Sequence, residues 1–162
     1  MAHPVQSLAA PSTQILLMRH GEAALGYADA ERPLTERGRQ AVFEVAEDLA
    51  GLSIQAPGIL SSPLLRARES AGLVAERLQL PLLPVSHALI PQADAAALVK
   101  QLFSVRKSVF WVFHQPVLAE VVFILTGSRV YPETAGVYAL NGSWDEAWDG
   151  AKQMNFEVEW KL

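Results

Sequence analysis

Short apolar runs alternate with longer amphipathic segments through most of the chain. Gln14 to Arg19 is an apolar run with a charged end, which predicts a buried strand. Thr35 to Leu52 carries apolar side chains at helical spacing, and Thr35 is the predicted N-cap of this helix. A second strand is predicted at Gly58 to Leu60, followed by a second amphipathic helix from Pro63 to Leu78.

The alternation continues past the middle of the chain. A strand is predicted at Leu82 to Val85, followed by a helix that Asp94 caps and that runs to about Phe103. Val109 to Phe113 is rich in β-branched and aromatic residues, which predicts a strand. Val117 to Leu125 has the length and spacing of a helix.

The C-terminal end changes character, because two strands are predicted there without a helix between them. They cover Gly136 to Leu140 and Gln153 to Lys161, and the second alternates polar with apolar residues, so one of its faces is expected to be wet. Asn141-Gly142 or Asp149-Gly150 would supply the turn between them.

This order of elements predicts an α/β fold: a three-layer α/β/α arrangement with a mostly parallel sheet and an antiparallel C-terminal edge. A length of 162 residues fits one domain. We expect a single domain over residues 13–162, preceded by a flexible tail from Met1 to Ser12, where prolines and small residues dominate.

Composition narrows the possible functions. Hydrophobic residues make up 51% and charged residues 19% of the chain, which indicates a globular protein. The net charge is -4 and the arginines form no basic stripe, so nucleic acid is not an expected partner. The absence of cysteine excludes disulfides and cysteine nucleophiles. The apolar runs are too short for a bilayer and no signal peptide is evident, so we expect a cytoplasmic protein with no membrane partner.

Reactive side chains follow three of the predicted strands. Arg19, His20 and Gly21 end the first strand, Arg66 lies one turn into the helix after the second, and His114 follows Phe113. Ligands of open α/β sheets bind beyond the carboxyl ends of the strands, so these residues are expected to share one rim. Two histidines and two arginines are side chains typical of a phosphate-binding site.

The chemistry of each residue type fits that interpretation. Guanidinium groups bind phosphate oxygens in bidentate geometry, which suits Arg19 and Arg66. His20 can attack phosphorus as a neutral imidazole, and His114 can donate hydrogen bonds to the equatorial oxygens. Gly21 would let the backbone turn sharply and approach the ligand. No metal or other cofactor is required.

Taken one at a time, these residues also have ordinary interpretations. Arg19 and His20 could be a surface pair, Arg66 a solvated helix residue, and His114 a loop histidine bonded to backbone. The phosphate-site interpretation therefore depends on their joint placement at the ends of the strands.

Four segments of the chain carry short motifs that recur together: Leu17 to Glu22, Pro33 to Gly38, Ser61 to Ala67 and Val112 to Pro116. In this order they resemble the RHG signature, the P-L-T-x-x-G helix start, the S-x-x-x-R-A segment and the later histidine segment of the histidine phosphatase superfamily. That family is phosphoglycerate-mutase-like in fold. The short chain and the segments Arg32 to Thr35 and Leu89 to Asp94 resemble the SixA-type phosphohistidine phosphatases in particular.

The resemblance implies that Arg19, His20, Arg66 and His114 form the pocket for phosphate or sulfate, with His20 phosphorylated during turnover. It gives no role to Arg68. Phe113 replaces the family's usual small residue, so we expect it to narrow or tilt the pocket.

A second departure concerns the leaving group. Many relatives place a carboxylic acid in mid-chain to protonate the leaving oxygen, and this chain has Ala88 at the matching position. Because an imidazole leaves phosphorus more readily than an alkoxide, the missing acid favours phosphohistidine as substrate. Glu22, Asp94 and His87 are the accessory candidates for supplying a proton, but a loop carboxylate, a helix cap and a surface histidine describe them equally well.

The leading hypothesis is a phosphatase for phosphohistidine on a protein, reached through a shallow pocket with an apolar rim. That rim would consist of Leu25, Tyr27, Leu89 and Ile90. The alternatives are a phosphatase for small phosphate esters and a phosphate-binding module with weak catalysis. Phosphoglycerate mutase activity is disfavoured by the missing acid and the small size.

Overall fold

The computed structural model describes residues 12–145 and 155–162, so nearly all of the expected tail Met1 to Ser12 lies outside the described residues. The described strands are β1 (Thr13–Arg19), β2 (Ile59–Ser61), β3 (Val109–Phe113), β4 (Val137–Ser143) and β5 (Asn155–Lys161). The described α-helices are α1 (Glu36–Ala50), α2 (Leu65–Leu78), α3 (Ala95–Val105) and α4 (Val117–Thr126). Single 3-10 turns cover Asp29–Glu31 and His87–Leu89.

The five strands form one mixed sheet in the order β2-β3-β1-β4-β5. β2, β3 and β1 are parallel, whereas β4 and β5 are antiparallel to their neighbours. β1 lies at the centre, where Ile15 faces Val109 on one side and Leu140 on the other. The α/β class and the antiparallel C-terminal edge are therefore confirmed, with three strands in the parallel part.

Helices cover both faces of the sheet, as the three-layer prediction requires. Alternate residues of β1 point to opposite faces, so Leu17 joins a core cluster with α3 and α4 while Leu16 joins one with α1 and α2. Both side chains are fully buried. An apolar strand with no wet face is the expected pattern for a strand between two helical layers.

The helix boundaries follow the predicted signals closely. The Thr35 side chain accepts a hydrogen bond from the amide of Gly38, and Asp94 accepts one from the amide of Ala96. α4 ends at Thr126 and is capped by Gly127, whose φ of 73° is the left-handed conformation that glycine adopts without strain. α3 runs to Val105, two residues past its predicted end.

Two local predictions are wrong. Residues 82–85 do not form a strand: Leu82 makes a single bridge to Ile59, and Pro84 has no amide with which to extend the pairing. Asn141-Gly142 is not a turn, because both residues lie within β4. A Cβ on Gly142 would lie 2.1 Å from the carbonyl oxygen of Asn155, so this glycine serves close strand packing. The alternative turn at Asp149-Gly150 lies outside the described residues.

Within the described part of the chain, no helix combines the length and apolar content that crossing a membrane requires.

Candidate active site

The predicted site residues meet beyond the carboxyl ends of β1, β2 and β3. β1 and β3 end in register, with Arg19 opposite Phe113, so the residues that follow them are neighbours. The rings of His20 and His114 lie 5.0 Å apart between centroids. Arg66 is the second residue of α2 and is 5% exposed. The joint placement on which the phosphate-site interpretation depends is present.

Hydrogen bonds of its main-chain groups and of its ring hold His20 in place. Its amide donates to the carbonyl of Phe113 at 3.1 Å, and its carbonyl accepts from the amide of Ala135 at 3.0 Å. Its Nδ1 lies 2.7 Å from the carbonyl oxygen of Gly21. A carbonyl oxygen only accepts, so Nδ1 carries the proton, and the lone pair of the neutral ring is on Nε2.

The surroundings of His20 keep its ring neutral. Burial lowers the pKa of His20 to about 4, and the charges of Arg66, Arg19 and Arg32 act in the same direction. The hydrogen bond to Gly21 opposes these effects. At pH 7 the free site therefore presents an unprotonated imidazole nitrogen with nucleophilic character.

Arg19 offers a donor that no described residue engages. Its Nη1 donates to the carbonyl of Pro132 at 3.1 Å, which anchors the guanidinium. Its Nε is buried and has no hydrogen-bond partner among the described residues. A buried donor without a partner carries a desolvation cost that a bound anion oxygen would remove. Burial also lowers the pKa of Arg19, and a bound anion would favour its charged form.

Arg66 is held in the site by a loop that the sequence patterns did not single out. Its Nη1 donates to the main-chain oxygen of Asp29 at 2.7 Å, and its Nη2 lies 3.4 Å from Asp29 Oδ2. The Asp29 carboxylate also lies 3.5 Å from Arg32. Asp29 therefore sits between two guanidinium groups, and its side chain is 65% exposed.

His114 is almost fully buried, at 1% exposure, and Ser62 holds its ring. The Nε2 of His114 lies 2.7 Å from Ser62 Oγ, whereas its Nδ1 is buried without a partner in the described structure. Burial lowers the pKa of His114 to about 3, with contributions from His20 and Arg66, while Asp29 acts in the opposite direction.

The hydroxyl of Ser62 determines which nitrogen of His114 carries the proton. Ser62 Oγ accepts from the amide of Leu64 at 3.2 Å, and Ser62 is itself fully buried. If the hydroxyl donates to His114 Nε2, its proton is satisfied and the ring proton is on Nδ1. The opposite arrangement would leave the hydroxyl proton buried without a partner, which is costly. His114 therefore presents Nδ1–H as a donor that has no partner among the described residues.

Gly21 is needed for packing rather than for an unusual backbone angle. A Cβ at this position would lie 2.7 Å from Val42 Cγ2 and 2.9 Å from the carbonyl oxygen of Gly38 on α1. The amide of Gly21 donates to Ser70 Oγ at 3.0 Å, and that hydroxyl donates to the carbonyl of Arg66 at 2.7 Å. Ser70 thus connects the end of β1 to α2.

The three accessory candidates are engaged elsewhere or lie on the surface. Glu22 accepts a hydrogen bond from the Thr35 hydroxyl at 2.9 Å, and Asp94 caps α3. His87 is exposed, as is Ala88 beside it.

The predicted rim and the predicted effect of Phe113 need correction. Leu25 is 84% exposed and Tyr27 is 58% exposed, but Leu89 is only 1% exposed because it belongs to the core beneath α3 and α4. The ring of Phe113 is fully buried in that same core and packs edge-on against Trp111. Phe113 meets the site through its carbonyl, which holds the amide of His20.

Sequence reasoning missed Asp29 and the roles of Arg32, Ser62 and Ser70. Ser62 could have been found, since it is the serine of the S-x-x-x-R-A segment. Asp29 and Arg32 lie on a loop whose path no hydrophobic pattern predicts. Among residues 12–145 and 155–162, no three histidine or carboxylate side chains are grouped as metal ligands would be.

Comparison with known proteins agrees with this geometry. A model of the histidine phosphatase superfamily (branch 1) matches residues 15–87. An uncharacterised protein of Picosynechococcus is 34% identical over 138 residues, which covers 78% of this chain and 84% of that protein. The phosphohistidine phosphatase SixA of Escherichia coli is 41% identical over 69 residues, covering 42% of this chain and 43% of SixA.

Solved structures extend the likeness to nearly the whole chain. The histidine phosphatase SixA complexed with tungstate superposes with a TM-score of 0.77 and 28% identity, covering 93% of this chain and 96% of that one. A mycobacterial glucosyl-3-phosphoglycerate phosphatase bound to VO3 shares the fold at a TM-score of 0.67 and 19% identity, covering 91% and 98%.

Proposed function

Because the chain belongs to the histidine phosphatase superfamily and is a phosphatase, we propose that it removes phosphate from phosphohistidine on proteins, through a phosphorylated His20. The observation that carries the proposal is the 2.7 Å contact between His20 Nδ1 and the Gly21 carbonyl. It leaves the lone pair on Nε2, the atom that must attack phosphorus. The pKa of about 4 keeps that lone pair available at pH 7.

The first step breaks the phosphorus–nitrogen bond of the substrate and forms a new one. His20 Nε2 attacks phosphorus in line while the leaving imidazole takes the electron pair of the old bond. Arg19 Nε and His114 Nδ1–H are buried donors that the described protein does not satisfy. We assign both to phosphoryl oxygens, where negative charge is held in the transition state.

Water hydrolyses the phosphorylated His20 in the second step. Its oxygen forms the new bond to phosphorus, and the electron pair of the P–N bond returns to Nε2. Inorganic phosphate and the neutral imidazole are then restored. The two steps together replace one difficult displacement by two easier ones.

The choice of substrate depends on the leaving group. The position where many relatives have an acid is Ala88, which lies exposed on the 3-10 turn His87–Leu89. General acid catalysis contributes roughly 10²–10⁴-fold, and its loss affects an alkoxide far more than an imidazole. The likeness to SixA, a phosphohistidine phosphatase by name, supports the same choice.

The test compares kcat/KM for a protein phosphorylated on histidine with that for p-nitrophenyl phosphate and for an alkyl phosphate. We expect the phosphoprotein to be the best substrate and the alkyl phosphate the worst. His20→Ala should abolish turnover of all three, whereas His87→Ala, which removes an exposed histidine, should change none.

A higher kcat/KM for the alkyl phosphate would assign the enzyme to small phosphate esters instead. Slow turnover of every substrate with tight phosphate binding would indicate a phosphate-binding module.

A further inference from the structure

The inference concerns Asp29 and rests on the proposed function. We propose that the Asp29 carboxylate accepts a hydrogen bond from the free ring N–H of the substrate phosphohistidine, and so holds that imidazole in its protonated, reactive form. Asp29 would then be a catalytic residue that acts on the leaving group.

The position of Asp29 fits this role. The side chain of Arg66 is 6% exposed and that of Asp29 is 65% exposed, so the carboxylate lies on the solvent side of the guanidinium. A histidine on another protein would approach from that side with its phosphoryl group leading, and that group would go past Asp29 to Arg66. The ring behind the phosphoryl group would then lie at the level of Asp29.

Asp29 keeps accepting capacity after its contacts with the protein are counted. Oδ2 lies 3.4 Å from Arg66 Nη2 and Oδ1 lies 3.5 Å from Arg32 Nη1, both longer than ordinary N–H···O hydrogen bonds. The firmer contact is between the main-chain oxygen of Asp29 and Arg66 Nη1 at 2.7 Å. Each carboxylate oxygen has two lone-pair sites, so one on either oxygen is free for a substrate N–H.

The proton on the substrate ring decides how easily the bond to phosphorus breaks. With the second ring nitrogen protonated, the electron pair of the P–N bond returns to a ring that leaves as neutral imidazole. Without that proton the ring must leave as an imidazolate anion, which is a much poorer leaving group. A carboxylate beside the N–H favours the protonated form, as an opposite charge does for any titrating group.

This arrangement supplies what Ala88 does not. A conventional acid gives a proton to the leaving atom, whereas Asp29 would stabilise a proton already present on the other nitrogen. The charged and titratable groups that face Asp29 are Arg66 from α2, Arg32 beside the turn, and His114 after β3. The positive charges of the two arginines offset the repulsion between the carboxylate and the incoming phosphoryl group.

The test uses the full chain with Asp29→Asn, which preserves size and the main-chain contact to Arg66. The control is Glu31→Gln, the same charge change on the same 3-10 turn at an exposed side chain. The substrates are free phosphohistidine, whose ring offers an N–H in its protonated form, and p-nitrophenyl phosphate, whose leaving group has none.

We expect Asp29→Asn to lower kcat/KM for phosphohistidine at least tenfold more than it lowers kcat/KM for p-nitrophenyl phosphate. The alkaline limb of the pH profile for phosphohistidine should also move to lower pH, because the ring loses its proton earlier without the carboxylate. Glu31→Gln should match the unmodified protein on both substrates.

Parallel losses on both substrates would overturn the inference and leave Asp29 as a residue that only positions Arg66. No loss on either substrate would overturn it as well. Failure of the proposed function is distinguishable, since it would appear as turnover that survives His20→Ala, whatever the effect of Asp29→Asn.

Discussion

The parallel and antiparallel parts of the sheet contribute to the site in different ways. The parallel strands β1, β2 and β3 end at the same edge, and the residues after them provide the side chains: His20, Ser62, Arg66 and His114. The segment leading into the antiparallel strand β4 contributes main-chain groups that hold the site residues. The carbonyls of Pro132 and Gly136 and the amide of Ala135 hold the Arg19–His20 segment in place.

The difference shows which kinds of change each part should tolerate. Side-chain identity decides the chemistry at the parallel edge, because donors and the nucleophile must be particular atoms. Backbone position is what the antiparallel part supplies, and a main-chain hydrogen bond does not depend on the side chain that carries it. Substitutions in the two parts should therefore separate catalysis from stability.

The largest effect on catalysis is expected for substitution of Arg66, at the edge where the parallel strands end. Arg66→Ala removes a guanidinium at the phosphate pocket and should lower kcat/KM by about 10²–10³-fold, the cost of one preorganised donor. The matched control is Arg68→Ala on the same helix, where the side chain is exposed and no loss is expected. Equal losses in both variants would contradict the assignment of Arg66 to the pocket, provided that circular dichroism shows both folded.

Gly142→Ala, in the antiparallel part, should have the opposite effect: a loss of stability without a loss of turnover. A Cβ there would lie 2.1 Å from the Asn155 carbonyl oxygen and 2.7 Å from Phe156 Cα, so Gly142→Ala must shift β4 against β5. The free energy of unfolding should fall by about 1–3 kcal/mol. Turnover per folded molecule should stay within twofold of the unmodified protein.

The control for this variant is Gly72→Ala within α2, where a Cβ meets nothing within 4 Å. It should raise the free energy of unfolding by about 0.4–1 kcal/mol, since it reduces the conformational freedom of the unfolded chain. Urea unfolding measures both changes. A loss of turnover in Gly142→Ala without a loss of stability would break the proposed division between the two parts.

The smallest effect is expected for Ser62, which acts through His114. Ser62→Ala removes the donor to His114 Nε2 and should reduce kcat/KM about 2–10-fold, which corresponds to one hydrogen bond of about 0.5–1.5 kcal/mol. Ring-nitrogen NMR should show the His114 proton leaving Nδ1 in part. Ser61→Ala, at the neighbouring buried serine, is the control, and an identical result for both serines would contradict the tautomer argument.

The residues that follow the parallel strands could be predicted from the sequence, for a physical reason. The end of a buried strand is visible in the residues themselves, because Arg19-His20-Gly21 and His114-Gln115-Pro116 interrupt apolar runs. Residues that follow neighbouring parallel strands must meet, so the strand ends alone indicated His20, Arg66 and His114.

The remaining parts depend on contacts that no local pattern encodes. Asn141-Gly142 has the residues of a tight turn, yet close packing on β5 places it inside a strand. Asp29 sits beside Arg66 because the loop between β1 and α1 folds over α2, which links residues 37 positions apart. The Ser62–His114 contact spans 52 positions and needed the sheet to be assembled first.

The most direct test of the central claim is to trap the enzyme during turnover and locate the covalent phosphate. The protein is mixed with a ³²P-labelled phosphohistidine protein, quenched in alkaline denaturant and digested, and the labelled peptide is identified by mass spectrometry. We predict a phosphoramidate on His20, labile to acid and stable to base. Phosphate on His114 or on another side chain, or full turnover with no label on the enzyme at any quench time, would contradict the account.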